Sequence, residues 1–319
     1  MVSVVIMVLA MAIPHPGELA ALATVLCWAV SVLCFDAAGR RVGSMAVNLL
    51  RLLIALTMLC LFMTFAYGRP LPLHAPAGTW LWLGASGLVG FFLGDLCLFR
   101  SFLLIGPRLS TLLMSLAPPV AALTGMALLP EQTERLTPLN WAGMGVTLAG
   151  VACVVLEPPL RGPAHRRIHV TPWGLLLGAL AAVGQGLGMV LAKKGMLQAD
   201  GTYFDPIAST QIRQIAGIAG FATLFLALRW YPRVVSATRD AGAMGFITLG
   251  ALAGPVAGVS LALLSLQFIP TGKAQTIMAI LPVVIIPTVI LIHKEHVSLR
   301  AVVGAVVAFA GVAMLFLNS

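Results

Sequence analysis

The chain has 319 residues, 60% of them hydrophobic and 9% charged, with a mean hydropathy of +1.03. A soluble domain carries roughly 25% charged residues, so a soluble globular protein is excluded and a polytopic α-helical membrane protein is expected. The net charge of +9 sits in short loops, where Arg and Lys set topology and meet anionic lipid. No nucleic-acid partner is expected.

The first 13 residues, MVSVVIMVLAMAI, are apolar but short for a span, and they lack the basic start and cleavage site of a signal peptide. Residues 1–17 are read as an N-terminal lead. Apolar runs of bilayer-spanning length then predict ten spans near 19–38, 45–66, 80–104, 109–129, 139–156, 173–192, 207–228, 243–268, 272–292 and 299–317. The longest connection, EPPLRGPAHRRIHVTP, is polar and Pro-rich and falls at mid-chain.

Taken in order, the spans carry few residues with chemistry. Trp28 lies mid-span in the first, as a cavity wall or as packing. Arg51 lies one to two turns inside the second. The third holds GDLCLFR, with Asp95 about 22 Å from one end and about 13 Å from the other. A charge at that depth costs at least ~2.5–3.5 kcal/mol, which marks Asp95 as a functional candidate. Burial raises a carboxyl pKa, so such a group can load and release a proton. Arg100 falls about 140° around the helix from Asp95 and is no in-helix partner. It lies near the span end, where it can snorkel to the headgroups. Phe91, Phe99 and Phe102 share the face of Asp95 in an α-helical count.

Pro118 and Pro119 interrupt the fourth span, and Pro282 and Pro287 the ninth. Each frees a backbone carbonyl that protein, water or ligand must satisfy, and broken spans at matching places point to a transport site. Gln185 in the sixth span has glycines beside it that leave room for a cavity. Arg213 in the seventh is the counterpart of Arg51, and Lys273 opens the ninth. Gln211, Gln214, Gln267 and Gln275 read as interhelical hydrogen-bonders. Glu131 and Glu295 stand at span ends as interface or gate residues.

The two sides of the central linker resemble each other. Offset by 164 residues, SLAPPVAALTGMALLPE lies on AILPVVIIPTVILIHKE, pairing Met114 with Met278, Pro118 with Pro282, Thr124 with Thr288 and Glu131 with Glu295. At an offset of 161, Gly143 pairs with Gly304 and Gly150 with Gly311. At 162, Arg51 pairs with Arg213. Asp95 pairs with Val259 and so occurs once. Five spans per half is an odd number, so the second half enters the membrane from the opposite side. The fold class expected is an all-α integral membrane protein of ten transmembrane helices in two inverted five-helix repeats, 18–156 and 173–319, joined by the linker 157–172. Secondary transporters use this construction.

The IGPRLSTLLMSLAPPVAALTGMALLPE…GMGVTLAGV and IPTGKAQTIMAILPVVIIPTVILIHKE…GAVVAFAGV patterns resemble the EamA-type repeat of the drug/metabolite transporter superfamily. The resemblance covers nearly the whole chain after residue 17. It implies a ten-helix basket whose central cavity is walled by the first, third, fourth, sixth, eighth and ninth spans. Asp95 and Arg100 depart from the general repeat, which has apolar or aromatic residues there.

The function expected is a secondary active transporter exporting small metabolites, such as amino acids or related organic compounds, across the cytoplasmic (inner or plasma) membrane by alternating access. Proton coupling rests on Asp95. One alternative is an exchanger of carboxylated or phosphorylated metabolites that uses Arg51, Arg213 and Lys273, since the Arg fork binds both oxygens of such groups. Another, from a different class, is a non-transporting sensor or assembly protein. The partners expected are a small-molecule substrate and membrane lipid, for a monomer or homodimer. No enzyme, cofactor or metal is expected: GxSxG, Walker and HExxH motifs are missing from the sequence, and HKEH at 293–296 lacks a third ligand at fixed spacing. Cys27, Cys34, Cys60, Cys97 and Cys153 lie within apolar runs and read as buried small hydrophobes.

Orientation divides two arguments. Loops after odd-numbered spans carry 11 Lys and Arg against 5 on the other side, Lys193, Lys194 and Lys273 among the 5. That excess puts both termini outside the cytoplasm, whereas the family resemblance implies cytoplasmic termini.

Overall fold

A computed structural model describes residues 14–156, 171–285 and 299–317. Residues 1–13, most of the linker, and 286–298 with Pro287, Thr288, Glu295 and the HKEH stretch lie outside the described residues. The described chain is helical, apart from one isolated bridge between Leu197 and Tyr203.

In chain order the helices are α1 (Pro16–Val42), α2 (Ser44–Tyr67), α3 (Ala77–Gly87), the π-helix π1 (Leu88–Gly94) and α4 (Asp95–Met114). Next come α5 (Ala117–Leu128), α6 (Glu131–Glu134), α7 (Pro138–Val155), α8 (Pro172–Met196), α9 (Pro206–Ala227) and α10 (Tyr231–Ala237). The last are α11 (Ala241–Ala251), a second π-helix π2 (Leu252–Gly258), α12 (Val259–Ser265), α13 (Thr271–Met278) and α14 (Leu299–Phe316).

Local sequence sets most boundaries. Proline opens α1, α7, α8 and α9, where its missing N–H would be unpaired in any case. The side chain just before the helix caps four starts: Thr137 accepts from Asn140 N at 3.3 Å, Thr171 from Gly174 N at 3.1 Å, Asp205 from Ala208 N at 2.8 Å, and Asp240 from Ala243 N at 2.9 Å. Gly106, at φ 81° and ψ 159°, divides α4 into the end of one span and the start of the next.

Among the described residues, eight helices are long and apolar enough to cross a membrane, or nine if α9 and α10, bent by 114° at their junction, form one broken span. The remaining expected span begins as Thr271–Ile285, a shorter apolar helix, and its expected continuation to residue 292 lies outside the described residues. Large apolar side chains such as Phe65, Leu103 and Val306 are exposed, as a lipid-facing surface requires. Cysteine follows the same rule: Cys34 is buried but Cys153 is exposed. Spans put apolar residues on both faces, so an apolar run alone did not assign Cys153 to the interior.

The chain divides into two compact units, and each draws on both halves of the sequence. The first comprises Met1–Phe92 and Leu191–Phe268, the second Leu93–Val190 and Ile269–Ser319.

In the first unit, α1 lies along the span Ala241–Ser265 on glycines spaced four apart. A Cβ on Gly250 would lie 2.6 Å from Phe35, and one on Gly258 2.6 Å from Trp28, while one on Gly254 would collide with Ser31 Oγ. Side chains larger than hydrogen would push the helices apart, and small residues of this kind allow close helix association in lipid. The Ser31 hydroxyl donates to Gly250 O at 3.0 Å and the Thr24 hydroxyl to Gly258 O at 3.3 Å. Leu49, Leu52, Phe221, Phe225 and Ile247 form the core between α2, α9 and α11.

The second unit has its own glycine contact, between α7 and α14. A Cβ on Gly150 would collide with Ala308 N, and one on Gly311 with Thr147 N. The glycines paired by the repeat, Gly143 with Gly304 and Gly150 with Gly311, line one helix-helix crossing. In the same unit Gly272 of α13 packs on Ala122 of α5, 2.5 Å from its would-be Cβ to the alanine methyl.

Candidate functional site

The two halves break their spans at matching places. Leu88–Gly94 is LVGFFLG and Leu252–Gly258 is LAGPVAG, each a seven-residue π-helix at the 164-residue offset. Both carry Leu first, Gly third and Gly seventh. A π-helix shifts the backbone hydrogen bonds from i−4 to i−5, widens the turn and is frequent at functional sites. In π2 the cause is visible in the sequence, because Pro255 lacks the N–H that an α-turn would use. The Pro255 carbonyl is taken by the Gln214 side chain, whose Nε2 donates to it at 2.8 Å.

Two further helices lapse at matching places. The α-helix lapses at Ser115–Leu116, just before Pro118, and at Ala279–Ile280, just before Pro282. Leu116 N bonds to Leu113 O at 3.0 Å and Ile280 N to Ile277 O at 3.3 Å. These tighter i−3 turns take up Leu113 O and Ile277 O, each one residue before the carbonyl, Met114 O or Met278 O, that Pro118 or Pro282 deprives of its i+4 donor. Pro118 is buried and Pro282 half-buried.

Asp95 is the first residue after π1, half-buried within the 30-residue span Ala77–Gly106. The span is longer at both ends than the sequence indicated, so Asp95 is about 27 Å from its start and about 16 Å from its end. Its counterpart Val259 is the first residue after π2 and is 6% exposed. Arg100 is exposed, in keeping with its reading as a snorkelling side chain. Phe99 and Phe102 meet edge to face, centroids 5.9 Å apart. Phe91 needs correction: it lies inside π1, where 100° per residue does not apply, so the α-helical count cannot align it with Asp95.

Trp28, Arg51 and Arg213 all belong to the first unit. Trp28 is half-buried and packs on Gly258 of π2. Arg51 is half-buried with its guanidinium 5.4 Å from the Phe35 ring centroid. Arg213 is 3% exposed and stacks over Phe91 at 4.6 Å. It therefore differs from a snorkelling arginine, because its head stays inside the protein. Nearby on α9, Gln211 donates to Pro70 O at 2.8 Å, and the buried Oε1 atoms of Gln211 and Gln214 have no hydrogen-bond partner among the described residues. Ser260 donates to Thr210 at 3.2 Å. This is a buried polar face on α9 opposite π2 and α12.

Gln185, Lys273, Pro118 and Pro282 belong to the second unit, as does Asp95. Gln185 is half-buried beside Gly186, whose would-be Cβ lies 2.6 Å from Ala117 O at the broken start of α5. Lys273 is 2% exposed on the first turn of α13.

Glu134 was missed from the sequence. It is 1% exposed, and its carboxylate accepts from Thr271 N and from Thr271 Oγ1, each at 2.9 Å, capping α13. Gly125 makes room for it, since a Cβ there would lie 2.6 Å from Glu134 Oε2. Glu131, three residues earlier, is exposed and pairs loosely with Arg135 at 3.4 Å. The signal was available: the 161 offset that aligns the glycines also aligns Glu134 with Glu295. Lys193 was counted as a loop charge but is 2% exposed in the last turn of α8, where a cation suits the helix dipole. Lys194 stacks over Trp82 at 4.3 Å. Among the described residues, no three His, Cys, Asp or Glu side chains are placed to hold a metal.

At the ends of two spans, Arg41 in the last turn of α1 and Asp240 at the start of α11 pair at 2.9 Å. The Arg41 hydrogen bond and the Ala243 N–H hold the Asp240 carboxyl below its ordinary range.

Comparison with known proteins gives two results. The EamA-like transporter family matches residues 15–156 and again 172–317. A solved crystal structure, 18% identical, covers 95% of this chain and 96% of its own with a TM-score of 0.69, and at that identity it speaks for the fold alone. No curated protein matches.

Proposed function

The chain belongs to the EamA-like transporter family, within the drug/metabolite transporter superfamily, and on that basis we propose that it exports small metabolites, amino acids or related organic compounds, by alternating access. The membrane is the cytoplasmic one, and the architecture is ten helices in two inverted repeats. Asp95 carries the proton or reads the substrate. No metal or cofactor takes part.

One observation carries this reading. Asp95 follows a π-helix in mid-span, and the matching position after the second π-helix is the apolar Val259. A residue needed only for the shared fold would serve in both halves. A group that binds one proton or one substrate moiety is needed once. Matching breaks at Ser115–Leu116 and Ala279–Ile280 add support, because discontinuous spans in corresponding places mark transport sites.

The exchanger of carboxylated or phosphorylated metabolites is the second reading, supported by the burial of Arg213 and Lys273 at 3% and 2%. It predicts trans-stimulation by counter-substrate without proton movement. Untargeted metabolite profiling of medium from cells overproducing the protein, against cells with an empty vector, tests export. Accumulation of a discrete compound outside is the expected result. An unchanged medium, with no flux of candidate solutes in proteoliposomes, would return the reading to a non-transporting membrane protein.

A further inference from the structure

The junction between α9 and α10 holds a surface that the transport reading does not use. Here α9 ends in a Schellman turn: Trp230 N bonds to Phe225 O at 2.9 Å and Arg229 N to Leu226 O at 3.1 Å. The Trp230 and Phe225 rings, 5.9 Å apart, provide the hydrophobic contact usual for this motif. The left-handed position that glycine usually fills is Arg229, at φ 55°. A left-handed residue other than glycine is strained, so the turn itself gains nothing from an arginine there.

Beyond the turn, α10 leaves the axis of α9 at 114°. Val234 and Ala237 face the core of the first unit. The other side presents Tyr231 and Val235 four residues apart, and Arg239 follows in the turn that ends the helix. With Pro232 and Ser236 these residues line a shallow groove of about 410 Å³. Its lining is mostly apolar, with Val235 56% exposed, and includes the Arg239 and Ser236 side chains. Arg229, Arg233 and Arg239 are exposed, and none pairs with a carboxylate among the described residues. Asp240, next to Arg239 in sequence, is held by Arg41, while Arg233 stacks over Trp230 at 4.9 Å. A short helix at the end of a span, with aromatics at the bend, exposed apolar side chains and unneutralised arginines, has the composition of an interfacial segment that attracts anionic lipid.

We propose that the groove of Tyr231, Val235, Ser236 and Arg239 is a binding site for an anionic phospholipid, with an acyl chain along Tyr231 and Val235 and the phosphate at Arg239 and Ser236. Arg229 and Arg233 raise the local positive potential. This inference is independent of substrate and coupling. The test is native mass spectrometry of the full chain released from nanodiscs of equal phosphatidylcholine and phosphatidylglycerol, counting retained lipids. The wild type is expected to retain phosphatidylglycerol with a preference of roughly fivefold or more. Arg239→Gln is expected to lose most of it, Arg239→Lys to keep part, and Arg40→Gln, which alters a surface pair elsewhere, to keep all. Equal retention of both lipids by the wild type would overturn the proposal. So would undiminished phosphatidylglycerol in Arg239→Gln, displacement of the lipid by excess inorganic phosphate, or release as a dimer whose interface protects the groove.

Discussion

The spans Ala77–Gly106 and Ala241–Ser265 hold corresponding places in the two halves, and each changes from α to π at the same point. They differ at the residue that closes the widened turn. The first continues into Asp95, the second into Val259. The widened turn belongs to the repeat, and the carboxylate belongs to one copy of it. Features that recur in both halves build the helix contacts, and a feature that occurs once is where chemistry can be sought.

The largest expected effect tests that division directly. Asp95→Asn should lower export at least tenfold, about 1.4 kcal/mol on the barrier, with membrane abundance unchanged. Val259→Thr should leave export within about twofold of wild type. Equal losses from both would erase the distinction between the halves.

Features with a partner in each half should act on stability. Glu134→Ala removes two hydrogen bonds to a buried carboxylate and leaves the Thr271 N–H unsatisfied, at a cost of about 3 kcal/mol. Thermal unfolding in detergent should show it, with Glu134→Gln retaining most of the wild-type midpoint. Gly150→Ala and Gly311→Ala should each cost about 2 kcal/mol, because their new methyl groups would meet backbone atoms of the facing helix. Gly145, on the same helix with nothing within 4 Å of its would-be Cβ, should accept Ala with little change. Gln214→Leu is a smaller perturbation, about 1 kcal/mol, since it frees one carbonyl of π2.

The smallest effect concerns pH. Asp240 is held below its ordinary range, so its contribution to stability is present above the unfolded carboxylate pKa and is lost as pH falls through the lower folded value. Arg41→Gln should therefore weaken the acid dependence of unfolding slightly and leave neutral stability nearly unchanged, as suits an exposed pair.

Much of this was legible in sequence because membrane spans advertise themselves. Prolines at Pro138, Pro172 and Pro206 and glycine at Gly106 mark ends that hydropathy alone blurs. The pairings of Gly143 with Gly304 and Gly150 with Gly311 were visible because glycine and proline matches are informative in a chain this apolar. The π-helices were not read, although L-x-G-x-x-x-G stands in both halves. Hydrophobic periodicity fails where both faces of a helix are apolar, so nothing in the pattern of LVGFFLG reports a change of pitch. Glu134 was passed over because it sits in a polar loop. Its burial depends on the space left by Gly125 and on Thr271, more than a hundred residues away. Nothing in the sequence placed the Arg213 head over Phe91, a contact set by tertiary packing.

The most direct test of the account is the pH dependence of flux in proteoliposomes for the compound that profiling identifies, wild type against Asp95→Asn. If Asp95 carries the coupling proton, wild-type flux follows an imposed pH gradient and the variant's residual flux does not. A variant that transports with the full pH dependence of the wild type would contradict the claim and leave Asp95 a structural aspartate beside a π-turn.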